Sequence, residues 1–199
     1  MKFIFYTHSD YSDVWPLMFG QANKYLEDYP KVVFTDKGDN ICSDGWDVVY
    51  YDDSLPYQQR VLSCLEQLDD EIVVFNHEDM FLYEEPDYAR ENNIFIKLLR
   101  GGYDDSLEQS DLDRDLVVAP PEMIFTIQPT ICQRKHLMTM YRETPGVSIW
   151  SFEANTVKTS NNHLFTGAMA FQPGDRKRGM YHYDSCIYPY IATAVVKGK

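Results

Sequence analysis

The sequence has little positive charge for its length. Its 18 lysines and arginines face 31 aspartates and glutamates, which gives the 199 residues a formal net charge of -13 at pH 7. Nucleic-acid binders need a basic face, and anionic lipid attracts basic segments, so this balance argues against both kinds of partner. An acidic protein that binds an anion needs a metal ion or a local cluster of cations to do so.

Long apolar runs and paired cysteine motifs are also missing. No stretch approaches the roughly 20 apolar residues of a membrane span, and the start turns polar too soon for a signal peptide. We therefore expect no membrane insertion and a cytoplasmic location. The cysteines follow no CxxC spacing, which favours reduced thiols over a disulfide framework. They are Cys42, Cys64, Cys132 and Cys186.

Four nucleotide-binding and catalytic motifs are absent. The sequence has no GxGxxG, no GxxxxGK[ST], no GxSxG and no HExxH. This argues against a Rossmann dinucleotide site, a P-loop, an α/β-hydrolase nucleophile and a zincin centre. The hydrophobic content of 44% supports one globular domain over residues 1–199, either complete or cut from a longer protein.

Strand-like and helix-like segments alternate through the first hundred residues. This alternation predicts an α/β fold, a three-layer sandwich in which helices flank a central, mostly parallel mixed sheet. The predicted strands cover 2–8, 31–36, 46–53, 71–76, 115–120, 122–127 and 163–172. The predicted helices cover 14–26, 56–68, 87–102 and 134–143, and the apolar tail after residue 186 fits either a helix or a strand.

Three polar residues, His77, Glu78 and Asp79, directly follow the apolar strand at 71–76. Burying them without compensation would be costly. Ligands of open α/β sheets bind at the carboxyl ends of the strands, where two carboxylates and an imidazole suit Mn²⁺ or Mg²⁺. A solvated turn that caps the next helix explains the same spacing equally well.

This arrangement resembles the GT-A nucleotide-sugar glycosyltransferases. Residues 59–82 resemble the arginine-bearing helix and the strand that precede their acidic metal-binding triplet. Residues 125–143 resemble the acceptor-side segment, with a Q-P-x-I-x-x-R-x-x-L run, and 145–155 resemble the W-x-x-E element. The sequence resembles in particular the small glycosyltransferase domains of chloroviruses, large algal viruses whose enzymes decorate capsid glycans. It departs from the family in having His77 at the first position of the triplet.

The resemblance implies a metal-dependent enzyme that transfers a sugar from a UDP-sugar donor to a hydroxyl of a glycan or glycoprotein acceptor. It implies a viral source, and hence the host cytoplasm. An inverting mechanism needs one carboxylate to take the proton of the acceptor hydroxyl. Glu153 is the candidate base, with Asp184 as the second choice. We expect the inverting mechanism, with a retaining mechanism as the alternative.

The same resemblance assigns the remaining site residues. Asp79 and His182 are the implied metal ligands. The end of the first strand lies beside the nucleotide base, and a basic segment at 174–185 closes over the diphosphate. The implied donor contacts are Thr7, His8, Ser9, Tyr11, Arg60, His77, Glu78, Arg176 and Arg178.

Several alternatives stay open at this level. Arg60 either contacts the donor or pairs with Asp52 or Asp53 at the surface. Trp150 either stacks on a sugar or belongs to the core. The chain as a whole is alternatively another metal-dependent nucleotide enzyme, or a non-catalytic carbohydrate- or partner-binding module.

Overall fold

The fold is built on one eight-stranded mixed sheet, to which a two-stranded sheet is added. The computed structural model describes residues 1–38, 41, 45–86, 95–98, 108–146, 148–171, 175–177, 184–185 and 187–192. Within these ranges, no helix combines the length and the apolar character needed to cross a membrane.

The first half of the chain forms a parallel half-sheet in the order β3-β2-β1-β4. From β1 the chain continues to β2 and β3 on one side of β1 and then to β4 on the other side, so the strand order reverses between β1 and β4. Such a switch point opens a crevice at the carboxyl ends of the strands. The elements are β1 (Lys2–Tyr6), α1 (Trp15–Tyr25), β2 (Lys31–Thr35), β3 (Trp46–Tyr50), α2 (Tyr57–Leu65) and β4 (Ile72–His77).

The second half of the chain extends the sheet in the order β4-β8-β6-β9-β7, with mixed directions. β8 is antiparallel to both of its neighbours, so β6 runs in the same direction as β4. β5 and β10 pair separately. The elements are β5 (Met80–Leu82), β6 (Phe95–Lys97), β7 (Leu116–Val118), β8 (Thr130–Gln133), α3 (Arg134–Glu143), α4 (Ile149–Asn162), β9 (Gly167–Ala170) and β10 (Tyr190–Ala192).

Side-chain alternation along the strands divides the core into two layers. In β1, Phe3 and Phe5 pack on the α1 side, whereas Ile4 and Tyr6 pack on the side that α2, α3 and α4 cover. Successive strand residues point to opposite faces, and a strand covered on both faces is apolar throughout. The predicted GT-A-like three-layer α/β sandwich is confirmed.

Two segment predictions are wrong. Residues 95–97, placed in a helix, form β6, because β8 and β9 bind this segment on both sides; the start of that helix, 87–94, lies outside the described residues. The segment 122–127, predicted as a strand, contains the end of a 3-10 helix at Pro121–Met123, a turn that begins at the second of two consecutive prolines. The sequence analysis also missed β5, β8 and α4.

Candidate functional site

A cavity of about 340 Å³ opens at the switch point between β1 and β4. Its walls come from the ends of these two strands, the loop after β1, α2 and the first residue of α4. The lining residues are Tyr6, His8, Asp10, Tyr11, Arg60, His77, Glu78 and Ile149. Five of the predicted donor-binding residues therefore share one cavity.

An acidic cluster with a histidine lies beside this cavity, at the ends of β1, β2 and β3. His8 Nε2 is 3.2 Å from Asp53 Oδ1 and 3.7 Å from Asp36 Oδ2. The three side chains form a group that can hold a metal ion. Protein partners already occupy parts of it, because Ser9 donates two hydrogen bonds of 2.7 Å to Asp36. The backbone N–H of Asp10 also donates to His8 Nδ1, at 3.0 Å.

Arg60 connects this cluster to the cavity. Its Nη1 lies 2.6 Å from Asp53 Oδ1, and its Nε donates to the carbonyl of Leu55 at 2.6 Å. The guanidinium carbon also lies 5.6 Å from the ring centre of Tyr51, a cation–π contact. Arg60 thus has the surface partner that the sequence suggested, Asp53, and lines the cavity as well.

The other residues at the end of β1 divide into buried and accessible ones. Thr7 is completely buried, and its hydroxyl accepts a hydrogen bond from Trp15 Nε1 at 2.9 Å. Its carbonyl accepts another from the Tyr51 hydroxyl at 2.7 Å. Thr7 therefore holds the strand end in place, whereas His8 and Tyr11 face the cavity.

His77 belongs to a buried chain of hydrogen bonds below the cavity. Its Nε2 lies 3.3 Å from the hydroxyl of Tyr57, which lies 3.0 Å from the hydroxyl of Tyr141. Burial lowers the pKa of His77 to about 4, so the imidazole is neutral at physiological pH. A neutral imidazole held by a phenol suits a hydrogen-bonding contact with a ligand.

Glu78 and Asp79 occupy a turn between β4 and β5. Burial raises the pKa of Glu78 to about 7, and the charge of Asp79 adds to the rise. Burial also raises the pKa of Asp79 to about 6. Within the described part of the chain, no ion pair joins either carboxylate to a cation. Two partly buried carboxylates of this kind are the groups that a divalent cation would stabilise.

The charge of Asp184 acts on Tyr190, and so does the charge of Asp79 in this turn. Burial raises the pKa of Tyr190, and the charges of Asp79 and Asp184 raise it further. The Tyr190 hydroxyl is buried and has no hydrogen-bond partner among the described residues. Three oxygen-bearing side chains from three segments therefore lie in one neighbourhood.

Glu153 lies on α4, one turn after Ile149 and on the same face of the helix. It is half-buried, and its Oε2 accepts a hydrogen bond of 3.0 Å from the backbone N–H of Ile127. The neighbouring Trp150 is 70% exposed, so it is a surface residue and not a core residue. Residues 145–155, singled out in the sequence, thus include the start of a helix that borders the cavity.

The predicted basic segment is described only in part. Arg176 is exposed, and its carbonyl accepts a hydrogen bond of 2.8 Å from the N–H of Asp184. Arg178 and His182 lie outside the described residues.

The sequence analysis missed several residues of this region. Asp36 directly follows β2, much as the polar triplet follows the strand at 71–76, whereas Asp53 lies three residues after the end of β3 and was considered only as a surface partner of Arg60. Tyr6 and Tyr57 gave no comparable signal, because one lies inside a predicted strand and the other in the first turn of a predicted helix. Lys97 was hidden inside the segment predicted as a helix.

Comparisons with known proteins support the fold. Neither a scan of protein-family models nor a search of curated proteins gives a match. Among solved structures, the chain is similar to S. aureus TarS (residues 1–349), with a TM-score of 0.53 and 12% identity over 92% of this chain and 60% of that one. It is also similar to the bifunctional IspDF from Campylobacter jejuni, with a TM-score of 0.53 and 12% identity over 87% of this chain and 50% of that one.

These two structures belong to enzymes, a glycosyltransferase and a nucleotidyltransferase. The similarity shows a GT-A-like α/β fold for this chain, which spans 50–60% of the length of the two structures. Neither structure is a viral enzyme, so the resemblance to chlorovirus domains stays a prediction.

Proposed function

We propose that this chain is a metal-dependent glycosyltransferase that transfers a sugar from a UDP-sugar to a hydroxyl of a glycan or glycoprotein acceptor. The observation that carries the proposal is the cavity at the switch point, where Arg60 and Glu78 lie at the same sheet edge in a GT-A-like fold. This is the edge at which ligands of open α/β sheets bind.

The nucleotide part of the donor fits the side of the cavity near β1. Tyr11 and His8 offer ring faces for the base, and the carboxylates of Asp36 and Asp53 offer acceptors for the polar edges of the nucleoside. Arg60 carries a planar fork of donors that matches phosphate oxygens. Its present partner Asp53 is half-exposed, so exchanging it for a diphosphate carries a small cost.

We place the metal on the other side, at Asp79, although the described side chains that lie close enough together to share one ion are those of His8, Asp36 and Asp53. Asp79, Glu78 and Asp184 offer the oxygen atoms that Mn²⁺ and Mg²⁺ prefer. The unpartnered Tyr190 hydroxyl and the raised pKa values of Glu78 and Asp79 fit a site that gains from a cation. A bound divalent cation would supply charge neutralisation for the diphosphate leaving group. The His8 group fits a cation less well, because Arg60 and Ser9 already engage its carboxylates.

Glu153 is the proposed base. As the acceptor oxygen bonds to the anomeric carbon, Glu153 takes the hydroxyl proton, and the bond to the diphosphate breaks with its electron pair on the leaving oxygen. The hydrogen bond from Ile127 N–H fixes one carboxylate oxygen and leaves the other to accept the proton. Asp184 is the alternative base, and a retaining outcome is the alternative stereochemistry.

A second candidate function is nucleotidyl transfer, which the similarity to IspDF favours. Such an enzyme would bind a nucleoside triphosphate and release pyrophosphate. The same cavity and the same carboxylates would serve it, so the reaction product separates the two activities.

The first test is a calorimetric titration of the chain with UDP, with GDP and CMP as controls, each with and without Mn²⁺. We expect UDP to bind, and Mn²⁺ to strengthen its binding. Screening UDP-sugars for hydrolysis and nucleoside triphosphates for pyrophosphate release then assigns the reaction. If no nucleotide binds with or without Mn²⁺, the result contradicts both proposed enzyme activities. The remaining hypothesis is then a non-catalytic glycan-binding module.

A further inference from the structure

Three polar side chains form a buried network of hydrogen bonds below the cavity. The hydroxyl of Tyr141 lies 3.0 Å from that of Tyr57, which in turn lies 3.3 Å from Nε2 of His77. These residues come from α3, from the start of α2 and from the end of β4. All three are buried, and His77 also lines the cavity. The positions of the protons in this network therefore decide what His77 presents to a ligand.

Aromatic rings surround the two phenols, so a phenol proton without a partner would be a buried, unsatisfied donor. The Tyr141 ring stacks on that of Phe152 at 4.5 Å and lies 5.8 Å from that of Phe125. The Tyr57 ring lies 5.9 Å from that of Phe152. Burial raises the pKa of both tyrosines well above its ordinary value, so both hydroxyls keep their protons. Among the described residues, Tyr57 is the one hydrogen-bond partner of the Tyr141 hydroxyl.

One arrangement of protons gives both phenols an acceptor. If Tyr141 donates to Tyr57 and Tyr57 donates to His77 Nε2, both phenol protons are used, and the imidazole proton lies on Nδ1. In the opposite direction, His77 Nε2–H donates to Tyr57, and Tyr57 donates to Tyr141. The Tyr141 proton then has no acceptor among the described residues. An imidazolium ring leaves one phenol proton without an acceptor in the same way. Because an unsatisfied buried donor costs more than a hydrogen bond contributes, the first arrangement is favoured.

We propose that Tyr57, supported by Tyr141, holds His77 in the neutral Nδ1–H tautomer, so that His77 presents a hydrogen-bond donor to an acceptor oxygen of the nucleotide. The part that concerns the nucleotide rests on the proposed function. Tyr57 occupies Nε2, and no described residue hydrogen-bonds to Nδ1, so Nδ1 is the ring nitrogen that a ligand meets. Tyr57 is thus a positioning residue that acts through His77.

A neutral donor fits the chemistry of the cavity wall. Asp10 and Glu78 line the same cavity, and their carboxylates accept hydrogen bonds when ionised. A nucleotide is rich in acceptor oxygens, which need donors in such acidic surroundings. The Nδ1–H tautomer supplies a donor without placing a charge at a buried position, whereas the Nε2–H tautomer would add one more acceptor.

The first test determines the tautomer without any ligand. Long-range ¹H–¹⁵N correlation spectra at neutral pH show which ring nitrogen carries the proton, and the signals that His77→Asn lacks are those of His77. We expect the proton on Nδ1 in the wild-type protein. Tyr141→Phe should keep this tautomer, because the Tyr57 proton still needs Nε2 as its acceptor. Tyr57→Phe should give a mixture of both tautomers.

The wild-type spectrum decides the matter even if a variant does not fold. A proton on Nε2 in the wild-type protein would overturn the proposal. An unchanged tautomer in folded Tyr57→Phe would overturn it as well, because Tyr57 would then have no part in fixing the ring.

The second test measures the donor at Nδ1 by calorimetry with UDP and Mn²⁺. The amide nitrogen of asparagine takes about the position of Nδ1, whereas leucine fills the space and donates nothing. We expect His77→Leu to weaken UDP binding about 10-fold, the loss of one neutral hydrogen bond, and His77→Asn to stay within about 3-fold of wild type.

Both His77 variants lose the hydrogen bond to Tyr57, so a purely structural effect would weaken UDP binding equally in the two. Equal losses would therefore contradict a donor at Nδ1 while the proposed function stands. If the wild-type protein binds no nucleotide, the proposed function fails, and the ¹⁵N spectra still decide whether Tyr57 fixes the tautomer of His77.

Discussion

The ionisable side chains at the ends of β1, β2 and β3 differ from those at the ends of β4 and β6. In the first region, His8, Asp36, Asp53 and Arg60 are partly exposed or hydrogen-bonded, and each has a close polar partner. In the second region, Lys97 is completely buried and Glu78 and Asp79 are partly buried, and no ion pair joins them to another described residue. Their pKa values accordingly lie far from the ordinary ones.

This difference indicates two roles, ligand recognition in the first region and cation binding in the second. Paired groups hold their geometry without a ligand, which suits a surface that recognises a nucleoside by hydrogen bonds. Groups that lack a counter-charge raise the free energy of the unliganded protein. A cation or a proton relieves that cost for Glu78 and Asp79, whereas Lys97 relieves it by losing a proton. The second region is therefore where we place the metal.

The largest expected effect is on the pH dependence of stability at Lys97. The pKa of Lys97 is about 7 in the folded protein, whereas its ordinary value is 10.5. At pH values between these two, the unfolded chain therefore binds more protons than the folded protein. The free energy of unfolding therefore rises with pH in this window, by about 3 kcal/mol between pH 7 and about pH 9.5. Lys97→Met should lack this gain. Urea unfolding at both pH values measures it, and parallel pH curves for the two proteins would contradict it.

The next largest effect is on metal-dependent nucleotide binding at Asp79. We expect Asp79→Asn to weaken UDP binding in the presence of Mn²⁺ about 100-fold, or about 2.7 kcal/mol, and to leave binding without metal unchanged. The exposed Asp69, before the start of β4, provides the matched control Asp69→Asn. Calorimetry on the three proteins measures the effect. Equal metal dependence in both variants would remove Asp79 from the metal site.

A smaller effect is expected where Asp36 binds Ser9. Asp36→Asn replaces one of the two acceptor oxygens, so we expect unfolding to become easier by about 1–2 kcal/mol at pH 7. Burial raises the pKa of Asp36, but the hydrogen bonds from Ser9 outweigh it and the net shift is downward. The carboxylate thus stabilises the fold above its unfolded pKa, and this contribution disappears as pH falls through the folded one. Wild type and variant should therefore converge in stability in acid.

The smallest effect is the pairing of Arg60 with Asp53, whose side chains are 24% and 50% exposed. A double-mutant cycle with Arg60→Met and Asp53→Asn should give a coupling energy of about 0.5–1 kcal/mol, since water screens the pair. Thermal unfolding of the four proteins measures it. A coupling of several times this size would mean that the first region is as tightly built as the second, and the division would fail.

Local sequence signals predicted several of the helices in both halves of the chain. The 14–26 and 134–143 segments carry helical spacing, and α1 and α3 lie within these bounds. The segment 95–97 forms a strand although its apolar residues have helical spacing. The strands that pair with it, β8 and β9, lie far away in the sequence, so no local pattern indicates them. α4 was not predicted from the sequence, because Pro145 and Gly146 ended the preceding helix. The start of α4 is marked by the capping box of Ser148 and Ser151 and not by an apolar stripe.

The sequence by itself determined the fold class and the strand ends that carry the polar triplet, because both depend on patterns within a few residues. Only the tertiary structure decided that Arg60 pairs with Asp53, that Asp79 and Asp184 share Tyr190, and that Lys97 is completely buried. Pairings between distant residues depend on strand order and register, which local propensity does not encode. Burial likewise sets the charge of a carboxylate or an amine, and it exists only once the layers have packed.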